Sequence, residues 1–143
     1  MPGYKKVLVL LDLSQASEQV AAAGREMAAY SNAALLILHV VEFVPAEPMG
    51  ESLLPTVQIE DDLRRRARAK LDELSARLGL SEATVRVEAG NKKTEILRVA
   101  KEVAADLIVL GSRERHGLGV LVNFTEDTVL HAARCDVLAV RLK

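Results

Sequence analysis

Residues 5–42 read KKVLVLLDLSQASEQVAAAGREMAAYSNAALLILHVVE. Two continuous apolar runs, 7–11 and 35–41, enclose a stretch whose inward positions Val20, Ala23, Gly24 and Met27 recur at helical spacing. Ser14 and Ser17 precede that stretch and are candidate caps for its free N–H groups. An apolar run without alternation suits a strand covered on both faces, as in a parallel sheet. Strand, helix and strand in this order form a crossover unit, and its handedness is right-handed in nearly all such units.

The same alternation continues to the end of the chain. Further strands are expected at TVRVE (84–88), LIVL (107–110) and VLAV (137–140). Only TVRVE alternates, which places it nearer an edge. A second helix is expected from Ile59 to Leu78, with Ile59, Leu63, Ala67, Leu71, Leu74 and Leu78 on one stripe and Gly79 stopping it. Glu60, Asp61 and Asp62 would then lie at its positive end. A third helix is expected over 94–104 on Ile96, Val99, Ala100 and Val103, and a fourth from Thr125 to Ala133. The order β-α-β-α-β-α-β-α-β predicts one open five-stranded α/β sheet with helices on both faces, a single domain over residues 1–143. Residues 42–57, with three prolines and a glycine, form the one long loop and are expected to be functional or mobile.

Open α/β sheets bind ligands beyond the carboxyl ends of their strands. The candidates there are Asp12 after the first strand, Val40 and Val41 ending the second, and the loop from Gly111 after the fourth. That loop, GSRERHGLGVLVNFTED (111–127), carries glycines and basic residues and enters a helix at Thr125. Backbone N–H groups at glycines and at a helix N-terminus suit phosphate oxygens. The spacing fits neither a Walker A loop nor a dinucleotide fingerprint.

These stretches, with GNKKTEILRVAKEVAADLIVLGSRERHGLG and TVLHAARCDVLAVRL, resemble the universal stress protein family along nearly the whole chain. The resemblance implies sheet order 3-2-1-4-5, a homodimer, and in many members an ATP site built on the loop G-x2-G-x8/9-G-[ST]. Other members have lost that loop and bind no nucleotide. Here Gly111 matches the first glycine, with Ser112 and Arg113 following it. Asp12 matches the acid after strand one, and Val40 the position whose backbone meets adenine. Glu114 replaces the second glycine. With the shorter spacer, Asn123 and Phe124 replace the third glycine and the hydroxyl; with the longer one they become Phe124 and Thr125.

The departures have a physical cost. A carboxylate about 4 Å from a phosphate charge is repelled by roughly 1 kcal/mol in water and about 4 kcal/mol at an effective dielectric near 20. Arg113, Arg115 and His116 partly offset Glu114. The expectation is a degraded nucleotide site: no cofactor, or ATP or AMP if the loop is still competent. A non-catalytic stress-response protein acting by association follows, with homodimer pairing through the apolar terminal strand VLAVRL (137–142). The alternative is a signalling module holding ATP or AMP in an altered loop. A slow nucleotide hydrolase lacks an evident metal-binding acid or base apart from Asp12 and Glu114.

Other features carry less. His39 and His131 belong to separate elements, so a Ser-His-Asp triad is not expected, and no His/Cys pair has metal-ligand spacing. RRRARAK (64–70) follows EDD on a helix and reads as a solvated face of mixed charge rather than a nucleic-acid patch. Cys135 lacks a partner cysteine and reads as a small packed hydrophobe. A net charge of −1, 3% aromatic residues and no tryptophan argue against nucleic-acid binding. No apolar run approaches a membrane span, the MPGYKK start has no signal-peptide pattern, and the lone cysteine suits the cytoplasm.

Overall fold

The computed structural model describes residues 3–42, 56–113, 129 and 131–142. The strands are β1 (Lys6–Leu10), β2 (Ala34–Val41), β3 (Thr84–Ala89), β4 (Leu107–Arg113) and β5 (Asp136–Leu142). Between them lie helices α1 (Ser17–Ser31), α2 (Thr56–Arg77) and α3 (Lys92–Glu102). All strand pairs are parallel, in the order β3-β2-β1-β4-β5. The expected fourth helix falls largely outside the described residues; Val129, His131 and Ala132 are helical.

Continuous apolar strands have two faces to bury, and each face has its own core. Val7, Val9, Leu11, Ile37, Leu107 and Val109 pack with Val20, Ala21 and Ala28 of α1 and with Leu71 and Leu74 of α2. Leu8, Leu36, Leu38, Val40, Ile108 and Leu110 pack on the other face with Ile96, Val99 and Ala100 of α3 and with Val129. Alternating residues of one strand thus serve opposite layers, which is the pattern the unbroken runs required.

Several local expectations are corrected. Neither Ser14 nor Ser17 caps α1 by a side chain; its N-cap is Ala16. The carboxylate of Asp12 draws on both serines instead, accepting from the Ser14 N–H and the Ser17 hydroxyl. Helix α2 begins at Thr56, not Ile59, so residues 56 and 57 belong to it and not to the long loop, whose residues 43–55 lie outside the described ones. Its first turn has no acid. Glu60 and Asp62 instead pair with Arg64 and Arg66 one turn on, and Ile59 is 37% exposed and leaves the stripe. Helix α3 starts at Lys92 and not Thr94, capped by the Asn91 side chain, which accepts from the Thr94 N–H at 3.0 Å. In β5, Val137, Leu138 and Val140 are half-buried and Ala139 is exposed, because an edge strand has one neighbour and incomplete cover.

Candidate functional site

The strand order reverses between β1 and β4, with β2 and β3 on one side and β5 on the other. The crevice at such a reversal is the ligand position of open α/β sheets. The chain enters it from β1 by an ordered route. Leu11 N–H donates to the Leu38 carbonyl at 2.9 Å, and the Leu11 carbonyl lies 2.7 Å from His39 Nδ1. His39 therefore donates from Nδ1 and ties the end of β1 to β2.

Beyond that tie the backbone turns sharply, with Leu13 at φ 63°, a left-handed conformation unusual for leucine. The turn brings Asp12 Oδ1 to 2.9 Å from the Ser14 amide nitrogen and 3.2 Å from Ser17 Oγ. The exposed Asp12 carboxylate thus stands at the N-terminus of α1 and partly satisfies its positive end. A carboxylate here accepts from hydroxyl or amino groups and repels a phosphate. Neither Leu13 nor His39 was singled out for the site from the sequence. The only signal was the polar histidine inside an apolar strand.

Val40 is 5% exposed, with its side chain in the α3-side core. Gly111, Ser112 and Arg113 extend β4 beyond the expected end at Leu110 and pair with Val140, Arg141 and Leu142. The strand gives Gly111 a packing reason that its reading as the first loop glycine did not include. A Cβ added there would lie 2.7 Å from Leu142 Cδ1 and 3.2 Å from Val20 Cγ2. Glu114, Asn123, Phe124 and Thr125 lie outside the described residues.

His39 is partly buried, and that burial, with Lys92 and Lys70 nearby, holds its pKa below the ordinary value against the Leu11 carbonyl and Asp12. Cys135 lies far along the sheet, beside a cavity of about 270 Å³ that Ile108, Ala100, Lys101 and Arg134 also line. Burial, then the carboxylates of Asp136 and Asp106, pushes its thiol pKa up, away from nucleophilic character. Among the described residues no three His, Cys, Asp or Glu side chains converge as metal ligands, and no helix is long and apolar enough to cross a membrane.

An open five-stranded parallel sheet in this order, with helices on both faces, defines a doubly wound α/β protein. The chain belongs to the universal stress protein family, whose model matches residues 3–141. It is 37% identical over 144 residues to Universal stress protein A homolog 2 of Coxiella burnetii, covering 100% of this chain and 99% of that protein. Universal stress protein UspA from Lactobacillus plantarum shares the fold with a TM-score of 0.72 at 24% identity, over 97% of this chain and 99% of that one. A universal stress protein solved in complex with cAMP has a TM-score of 0.70 at 24% identity, over 96% and 97% of the two chains.

Proposed function

We propose that this universal stress protein is non-catalytic and cytoplasmic, and that it works by association, as a homodimer paired through residues 137–142, with a degraded nucleotide site. The observation that carries the site reading is the loop itself. Glu114 stands for its second glycine, and Asn123 and Phe124 for the third glycine and hydroxyl. The packing of Gly111 against Leu142 and Val20 adds support, since this glycine has a structural use without any phosphate. The half-buried apolar side chains of β5 at a sheet edge support the dimer.

A second reading, an ATP- or AMP-binding signalling module, draws on the Asp12 turn, which is formed and lies at the reversal. A neighbour of the same fold was solved with cAMP. Calorimetry separates the two readings. The unmodified chain is expected to take up ATP weakly or not at all. The triple variant Glu114→Gly, Asn123→Gly and Phe124→Ser is expected to gain measurable affinity, because it removes a charge and two side chains and adds a hydroxyl. Micromolar binding by the unmodified chain would establish the second reading instead.

A further inference from the structure

The sheet has two edges, β3 and β5, and an edge strand offers unpaired peptide groups to any other strand. Those of β3 can be assigned. Gly90 N–H donates to the Val41 carbonyl, so Gly90, and by alternation Glu88 and Arg86, aim their peptide groups at β2. Val85, Val87 and Ala89 have the opposite parity and aim theirs outward.

The carbonyls of Val85 and Val87 are occupied from α2. Arg68 Nη1 donates to the Val85 carbonyl at 2.9 Å, and Arg64 Nη1 donates to the Val87 carbonyl at 3.3 Å. The spacing explains how one helix serves both. Four helical residues rise about 6 Å and two strand residues about 6.6 Å, so arginines at i and i+4 match carbonyls at j and j−2 on an antiparallel strand. Each guanidinium is also held by a carboxylate one turn away. Arg64 Nη2 is 3.1 Å from Glu60 Oε1, and Arg68 Nε is 3.2 Å from Asp72 Oδ1. On the sheet face toward α3, Arg86 and Arg98 bond Glu88, Glu95 and Glu102, so a strand approaching β3 would also meet fixed charge.

We propose that Arg64 and Arg68 close the β3 edge to strand addition, so that a second copy of this chain pairs at β5 and the assembly stops there. With both edges open, each copy could pair twice and assembly would run on without closing. The arginine-rich run of α2 thereby has an assigned role for two of its members. The partner surface on β5 rests on the dimer reading given above; the closure of β3 does not.

The test is sedimentation velocity across a wide concentration range on folded protein, verified by circular dichroism and thermal melting. The parent chain is expected to give one species. Arg64→Met with Arg68→Met keeps the apolar stems but removes the donors, and is expected to form larger, concentration-dependent species. The same pair is also placed on Ala139→Asp, which puts a charge at an exposed position in the middle of β5. That background is expected to be monomeric, and adding the arginine changes is expected to restore pairing, now through β3. If the methionine pair does not fold, Arg64→Gln with Arg68→Gln, whose donors are too short to reach, is measured instead. A monomeric parent would defeat the β5 dimer but leave the comparison between variant and parent intact. Folded arginine variants with unchanged masses in both backgrounds would overturn the closure of β3.

Discussion

Gly111 has two competing reasons to be glycine, and they predict different behaviour. As a phosphate-loop residue its replacement would cost ligand affinity and little else. As a packing residue its replacement drives a methyl into Leu142 and Val20. Gly111→Ala is therefore expected to lower stability in the absence of any nucleotide by about 1–3 kcal/mol, the usual cost of overpacking a core. Leu142→Ala opens room for that methyl, so the double variant is expected to lose less than the sum of the single losses, as contacting sites do. Urea unfolding of the four proteins measures the cycle, and strictly additive losses would remove the packing explanation. The glycine itself was plain in the sequence. Its neighbours were not, because Val20 and Leu142 are far from it along the chain.

The helices share one way of ending. After α1, α2 and α3 the residues Asn32, Gly79 and Ala104 take left-handed backbone, at φ 52°, 68° and 55°. In each case the following amide reaches back five residues, from Ala33 to Ala28, Leu80 to Ser75 and Ala105 to Ala100. This satisfies carbonyls that the helix leaves open. Glycine and asparagine adopt the conformation readily, whereas alanine places its Cβ against the carbonyl that follows. Ala104 is exposed, so nothing is lost by removing its methyl group. Ala104→Gly is expected to stabilise the protein by about 1 kcal/mol, read as a higher urea midpoint at unchanged slope. An unchanged or lower midpoint would show that the strain is relieved elsewhere. The Gly79 stop was readable from residue type; an alanine in the same role was not.

Across the whole molecule, stability should fall with acid in two stages. His39 has its pKa lowered, chiefly by burial, below the ordinary 6.5. As pH falls through that value the unfolded chain takes up the proton first, so stability declines until the folded imidazole also protonates. Glu95 beside Arg98 and Glu102 beside Arg86 have lowered pKa values. Burial alone would raise Asp106, but the amides of Lys5 and Lys6, at 2.8 and 2.9 Å, outweigh it and lower the value. The stability these three contribute is present above their unfolded values and is lost as pH falls through the lowered folded ones. Melting temperature is thus expected to drop first below about pH 6.5 and again below about pH 4.5. His39→Gln, which keeps a donor near the Leu11 carbonyl, is expected to flatten the first stage and leave the second. An undiminished first stage in that variant would assign it to another group.

Sequence alone determined the class of fold, because each element carries its own signal. Unbroken apolar runs announce strands with two faces to bury, and helical periodicity between them announces crossovers. The edge position of β3 was readable in the same way, from the alternation of TVRVE. Sheet order came only through the family resemblance, since no run of residues states which strand lies beside it. Of the candidate site, the sequence named Asp12, Val40 and Gly111 from the ends of apolar runs, and the structure carries β4 past Gly111 to Arg113. What tertiary structure decided are contacts between distant residues: His39 tying down Leu11, and Leu142 against Gly111. The arginines of α2 on the outer carbonyls of β3 belong here too. In sequence they are a charged helical face, and only the packing of α2 against the sheet edge gives two of them backbone partners.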